Sequence, residues 1–463
     1  YLSDEPGCQR AEQNRFDPYL QTWNRLAAYH AMGHPTDKVE LIVLGGTWSY
    51  YPVAYQRGFV AGCLRALNDF GAGRDRRAQI EAPAPEIPAQ DSGGSYNARI
   101  APLARIAERE EASWDELEAL QRENEAAGAR CVGLSLETRP DAVTGDEVLR
   151  LRRLGATRIQ LGLQSLSDAV LSANRRGHDV AASRQAMTRL RSAGFKLQAH
   201  WMANLKGATP ETDAEDFARL FSDAAILPDE LKVYPCSLIE TADLMDDWRA
   251  GDWKPYAHET LVDLLVVALE AVPAWCRVTR MIRDIPSPDI VTGNRRTNLR
   301  EDVEEQLVKR GGTTREIRAR EVRGEPVDPC SLVVREHAYR SRIGQERFIE
   351  AVTPEGRLAG FVRLTLPDPD MAGEGPRELR GAAILREVHV YGAQVSLGAG
   401  SKGEAQHAGL GTRLVRQAET AARLAGFSTL SVISAIGTRN WYRRLGFRDG
   451  PLYQHRDTRA PAA

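Results

Sequence analysis

The sequence predicts an α/β chain in two parts, a partial TIM-like parallel (β/α) barrel joined to a smaller α+β domain. Three observations predict it. Between 39 and about 234, short apolar strands alternate with longer amphipathic helices, the pattern that builds parallel β/α units. From 347 onward, closely spaced strands replace that alternation. At 463 residues the chain also exceeds what one ordinary core accommodates. Composition bounds the function classes. No apolar run approaches the roughly 20 residues of a membrane helix, so no membrane span is expected. A net charge of −2 excludes a uniformly basic nucleic-acid coat but leaves room for a local basic surface.

In order along the chain, the candidate barrel strands are 39–44, 131–136, 158–163, 196–202 and 230–234. Helices are expected over 117–127, 146–154, 181–193 and 212–221. Four strands run into polar or glycine-containing clusters: Gly45-Gly46-Thr47, Glu137-Thr138-Arg139-Pro140, Gln164-Ser165 and Lys232-Val233-Tyr234-Pro235. In a parallel barrel such ends share the face where ligands bind, so the clusters are expected to converge. Residues 71–103, rich in Gly, Ala, Pro and Arg, read as a loop or insertion. After a helix over 259–272 comes a basic stretch holding Arg277, Arg280, Arg283, Arg295, Arg296 and Arg300 against Asp284 and Asp289. It suits either a solvated linker or a phosphate-binding surface. The expected extents are 1–276 for the barrel, 277–330 for a basic linker and 331–463 for the second domain.

The second domain begins with strands over 347–352, 358–364 and 382–391. The string from Gln406 through Gly409, Gly411 and Thr412 then leads into a helix running to about 425, with Leu410, Leu414, Ala418 and Ala421 on one face. A glycine turn at a helix N-terminus presents unpaired N–H groups and the positive end of the helix dipole, which suits a pyrophosphate. A strand over 429–434 and the run Asn440-Trp441-Tyr442 follow. This ensemble resembles the GNAT acetyltransferase superfamily. The resemblance implies that Gln406, Gly409, Gly411, Thr412 and Asn440 contact acetyl-CoA, and that Tyr442 lies near the thioester sulfur as proton donor. Trp441 and Tyr442 could instead anchor a helix in the core. Glu387 lies on the strand that would run beside the pantetheine arm, as a base or a water-positioning group, or simply as a solvent-facing strand residue.

The barrel and acetyltransferase strings in this order resemble the catalytic subunit of Elongator, the elongator complex protein three family. The strings include Glu5-Pro6-Gly7, Asn174-Arg175-Arg176-Gly177-His178, Leu231-Lys232-Val233-Tyr234-Pro235, Asn298-Leu299-Arg300-Glu301 and Glu387-Val388-His389-Val390-Tyr391-Gly392. The resemblance covers nearly the whole chain. It implies a barrel of the radical S-adenosylmethionine type joined to a GNAT domain, acting as an acyltransferase on the wobble uridine of tRNA in the cytoplasm. A [4Fe–4S] cluster would cleave S-adenosylmethionine to a radical that activates the acetyl methyl of acetyl-CoA, and thioester hydrolysis would leave a carboxymethyl group on the base. It further implies that Gly45, Gly46, Thr47, Glu137 and Gln164 face S-adenosylmethionine and that Lys232 serves catalysis in the cavity. Arg277, Arg280, Arg283, Arg295 and Arg296 would hold tRNA. Other Elongator-type subunits or a second copy are the implied protein partners.

The cysteines depart from this pattern. Cys8, Cys63, Cys131, Cys236, Cys276 and Cys330 are widely spaced, which argues against a disulfide framework and a zinc site and favours a reducing compartment. The family's closely spaced cysteine triad is not among them. Because the sequence starts at Tyr1 rather than Met, the triad is expected to precede it. Two other readings stand beside the first: a protein lysine acetyltransferase with a scaffolding barrel, and a catalytically degenerate tRNA-binding subunit.

Overall fold

The computed structural model describes residues 5–80, 112–282, 285–323, 327–371, 373–392 and 409–459. Most of the expected loop 71–103, together with Arg283 and Gln406, lies outside the described residues. The chain divides into two compact units. The first comprises Tyr1–Glu137, Arg150–Thr157 and Ser434–Arg444; the second comprises Thr138–Leu149, Arg158–Ile433 and Leu445–Ala463.

Among the described residues, six parallel strands make up the half-barrel sheet. In the first unit, β1 (Lys38–Ile42) pairs in parallel with β2 (Arg130–Thr138). The helix Pro18–Ala31 packs on the helix Val53–Gly71 in the same unit. In the second unit, β3 (Arg158–Gln164), β4 (Lys196–Ala203) and β5 (Glu230–Pro235) pair in sequence and all in parallel. A two-stranded ribbon joins β6 (Leu238–Ile239) to the later β8 (Ile290–Thr292). Between them in sequence, β7 (Arg277–Arg280) extends the parallel set beyond β5. The stretch expected as a basic linker therefore contains a barrel strand and the helix Leu299–Lys309. Its Arg-Val-Thr-Arg sequence offers one apolar residue, too little for a strand signal on its own.

The helices start where local chemistry dictates. Asp17, Ser113, Ser167 and Asp179 each accept an N–H of the first turn, and Thr209 forms a reciprocal capping box with Thr212. The strands β3, β4 and β5 alternate. Ile159, Leu161, Leu163, Leu197, Ala199, Trp201, Leu231 and Val233 are buried on one face. The other face, apart from Gly162, Met202 and Tyr234, is polar: Arg158, Gln160, Gln164, Lys196, Gln198, His200, Glu230 and Lys232. Parallel strands are commonly apolar on both faces, so this polar face marks the inside of the half-barrel as a place for chemistry.

The second unit also holds a seven-stranded mixed sheet in the order β14-β15-β13-β12-β11-β10-β9. These strands are β9 (Val333–Ser341), β10 (Gly344–Val352), β11 (Leu358–Pro367), β12 (Ala383–Val390), β13 (Thr429–Val432), β14 (Arg448–Asp449) and β15 (Gln454–Asp457). The helix Leu410–Leu424 packs across β10 to β13 and buries Leu410, Leu414, Val415, Ala418, Ala421 and Ala422. Ile317, Phe348, Val352, Leu358 and Phe361 form a core cluster on the sheet. Among the described residues no helix is long and apolar enough to cross a membrane.

Candidate active site

In the first unit, the chain after β1 turns at Gly45, whose φ of +151° favours glycine. A small cleft opens there, lined by Val43, Leu44, Gly45, Gly46, Trp48, Tyr51, Tyr55, Phe59 and Glu137. Gly46 faces the Tyr51 hydroxyl so closely that a Cβ would sit 3.3 Å from it. Gln56 fixes the turn by donating to Trp48 O at 3.2 Å and Tyr51 O at 3.0 Å. Trp48 Nε1 and Gln56 Oε1 are buried with no hydrogen-bond partner among the described residues. The sequence clusters Gly45-Gly46 and Glu137 do share one cleft. Thr47 precedes the 3₁₀ turn Trp48–Tyr50.

Tyr442 and Asn440 also belong to the first unit. Their helix, Arg439–Arg444, is tied to the C-terminal end of helix Trp114–Asn124 through Glu125, which takes ion pairs from Arg439 at 3.2 Å and Arg443 at 2.6 Å. Asn440 Nδ2 donates to Glu125 O at 3.1 Å and its Oδ1 accepts from Arg443, so both ends of this amide hold the helix in place. Tyr442 is buried, its ring 4.7 Å from that of Trp441. Gly437 makes this docking feasible: a Cβ would lie 2.7 Å from Arg130 Cβ and 3.0 Å from Cys131 O.

In the second unit, Gln164 ends β3 with φ +67°, a conformation that ordinary side chains adopt at a cost. It is 8% exposed and its Oε1 has no hydrogen-bond partner among the described residues. Lys232 Nζ donates to Gln160 Oε1, and the same oxygen accepts from His200 Nε2 at 3.2 Å. An amide oxygen only accepts, so His200 carries its proton on Nε2. The Tyr234 ring meets His200 edge-on at 5.6 Å. Gln160 and His200 were missed from the sequence; their signal was the polar alternation of β3 and β4.

Glu387 is pinned from two sides. Oε1 accepts from Lys196 Nζ at 2.7 Å and Oε2 from Arg363 Nε at 2.8 Å. Burial alone would raise its pKa, but Lys196 and Arg363 bring it down to about 2. Lys196 in turn pairs with Glu230 at 2.8 Å, which also takes Arg158 at 3.3 Å and Gln198 at 2.9 Å. The pinned carboxylate is a poor base and a firm anchor.

The sheet around Glu387 opens toward its C-terminal end. β12 pairs with β13 only at Ala383↔Leu430, Ile384↔Ser431 and Leu385↔Val432, after which β13 ends and β12 continues to Val390. Gly409, at φ +75°, caps the helix Leu410–Leu424, placing Gly411 and Thr412 in its first turn. That first turn reaches the same end of the sheet: Gly360, opposite Val390, has Leu410 and Leu414 side-chain atoms 3.4 and 3.3 Å from where a Cβ would stand. An extended thioester arm can thus lie along the open edge of β12, with its phosphates at the helix N-terminus.

The arginines have internal duties. Arg277 pairs with Glu321 at 2.8 Å, Arg296 with Asp302 at 3.2 Å, and Arg295 donates to Ile290 O at 2.6 Å and Val291 O at 2.9 Å. Arg280 ends β7 exposed. Cys8, Cys63, Cys131, Cys236 and Cys276 are separately buried and Cys330 is exposed. Among the described residues no group of three His, Cys, Asp or Glu side chains could hold a metal. The cysteines of this sequence therefore do not supply the three thiolates of a [4Fe–4S] cluster.

A half-barrel of parallel strands with a polar interior, together with a mixed sheet whose fourth strand opens beside a glycine-led helix, defines a radical S-adenosylmethionine type barrel combined with an acetyltransferase fold. Residues 97–220 match the Radical SAM superfamily and residues 228–309 the Radical_SAM C-terminal domain. The chain is 33% identical to a tRNA uridine(34) acetyltransferase of Dehalococcoides mccartyi over 99% of its length and 92% of the relative's. It is 34% identical to Elongator complex protein 3 of Danio rerio, covering 97% of this chain and 76% of that one. Its structure matches that of the archaeal Methanocaldococcus infernus Elp3 with an N-terminal deletion, at a TM-score of 0.80 and 31% identity, over 98% and 97% of the two chains. The chain belongs to the Elongator complex protein 3 family, which includes the tRNA uridine(34) acetyltransferases.

Proposed function

We propose that this chain is a tRNA wobble-uridine modifying acyltransferase that holds acetyl-CoA along β12 and cleaves its thioester when tRNA is bound. The observation that carries this reading is the stretch Arg386–Val390 of β12, which keeps its β11 partner but runs on beyond the last β13 pair, together with Gly409 at the start of the helix Leu410–Leu424. Gly409, Gly411 and Thr412, with Gln406, would take the pyrophosphate; Asn440 and Tyr442 are the other proposed acetyl-CoA residues. Tyr442 is the proposed proton donor to the leaving sulfur. Glu387 orients rather than accepts protons, because two cations occupy it.

The names of the relatives support tRNA as substrate and Elongator-type subunits as partners. Arg277, Arg280, Arg283, Arg295 and Arg296 are the proposed tRNA contacts, and 277–330 the segment that presents them. In the barrel, Gly45, Gly46, Thr47, Glu137 and Gln164 are the proposed contacts of S-adenosylmethionine, which in this family supplies radical chemistry with an iron–sulfur cluster. Orphaned Trp48 Nε1, Gln56 Oε1 and Gln164 Oε1 fit a polar ligand in these places. Lys232, positioned by Gln160, would face the base.

The test is thiol release from acetyl-CoA by the purified chain, with and without tRNA carrying uridine 34. Stimulation by that tRNA supports the reading. Acetylation of a lysine peptide without any tRNA requirement would sink it.

A further inference from the structure

The face of β12 that bears Glu387 also bears His389, two residues on. Both oxygens of Glu387 are engaged by cations. His389 lies on the stretch of β12 beyond the last β13 pair, opposite Phe361 of β11. Its ring stacks on Phe361, with centroids 5.6 Å apart and planes at 11°, and meets Tyr391 at 4.4 Å. These two rings fix its plane. Its side chain is 44% exposed, and Nδ1 stands 3.9 Å from Glu387 Oε1. That distance is an electrostatic contact, of the kind that tightens into a hydrogen bond when a substrate closes an active site.

We propose that His389 is the proton-accepting group for thioester cleavage on β12, and that Glu387 is the positioning residue that orients its ring. The proposal rests on the acetyl-CoA reading above. With Nδ1 turned toward the carboxylate, Nε2 is the nitrogen left to work. As a water oxygen bonds to the thioester carbonyl carbon, Nε2 takes one water proton. The C–S bond then breaks with its electron pair on sulfur, and the thiolate takes a proton from solvent. The acetic acid so formed gives its proton to solvent as acetate leaves, and His389 releases its own proton to solvent. Water is the only co-reactant.

The charges that face His389 are Glu387 on its own strand, Lys196 from β4, Glu230 from β5 and Arg277 from β7. Desolvation by the surrounding side chains, the largest influence, lowers the pKa of this half-exposed imidazole, with Lys196 and Arg277 adding to it and the two carboxylates opposing, so the neutral, proton-accepting form is favoured.

The experiment measures thiol release and desulfo-CoA affinity on the full chain. His389→Gln is expected to lower kcat by about 100-fold or more while desulfo-CoA binds within about threefold of the parent. It is also expected to abolish the acid limb of the pH–rate profile. Added imidazole should restore part of the rate to His389→Ala, an outcome that a purely structural role would not produce. Glu387→Gln should keep the acid limb but shift it to lower pH. A normal rate or an unchanged acid limb in His389→Gln, with desulfo-CoA still bound, overturns this proposal alone. Failure of the parent chain to bind desulfo-CoA overturns it together with the acetyl-CoA reading.

Discussion

Asp229 sits fully buried at the start of β5 and meets Arg386 at 2.6 and 2.8 Å, Arg363 at 3.4 Å and Arg191 at 4.0 Å. Burial alone would raise its pKa, yet Arg386 and Arg363 hold it well below the usual carboxylate range. A depressed carboxyl contributes stability that is present above its unfolded pKa and lost as pH falls through the folded one. Arg386→Met, which strands Asp229, should cost about 3–5 kcal/mol in urea denaturation at pH 7. Asp213 shows the opposite sign. Burial raises it to about 6, while it accepts from Asn204 N at 2.7 Å and Tyr256 Oη at 2.9 Å. Its contribution is present below about pH 4 and is lost as pH rises through 6, a loss of about 3 kcal/mol. Asp213→Asn should flatten that fall in a series of unfolding curves from pH 4 to 7; a parallel fall in the variant would refute the assignment.

At the scale of elements, the opened β12 and the helix Leu410–Leu424 depend on close approach. A Cβ at Gly360 would sit 2.8 Å from His389 O and press on Leu410 and Leu414. Gly360→Val should cost about 1–3 kcal/mol and raise the KM for acetyl-CoA, as read from melting and steady-state kinetics. On β7 the expected effect is electrostatic. Arg280→Glu should weaken tRNA binding and reduce the slope of log K against log salt by about one, with no change in desulfo-CoA affinity. An unchanged slope would remove Arg280 from the tRNA surface. The five expected barrel strands and the helix face Leu410, Leu414, Ala418, Ala421 were legible because alternation and 3.6-residue periodicity are local properties. β7 was not, because with a single valine among two arginines and a threonine it is a strand only by virtue of its pairing with β5.

For the whole molecule, the parallel strands β3, β4, β5 and β7 and the mixed sheet are one compact unit, joined by Arg386–Asp229, Arg363–Asp229 and Lys196–Glu387. A chain ending at 330 should therefore lose cooperative unfolding and be cut rapidly by protease, since Asp229 and Glu230 would lose their partners or the order around them. A sharp, protease-resistant transition in 1–330 would contradict this. The sequence by itself determined the fold class and the order and type of most elements, because those depend on neighbours a few positions away. Only the tertiary structure decided which ionic groups meet. Lys196 and Glu387 stand 191 residues apart, and Ser434–Arg444 folds with the first unit although the strands on either side of it belong to the second. Those choices follow from strand register and helix docking between distant segments, so they turned Glu387 from a candidate base into an anchor and left His389 beside it as the group able to move a proton.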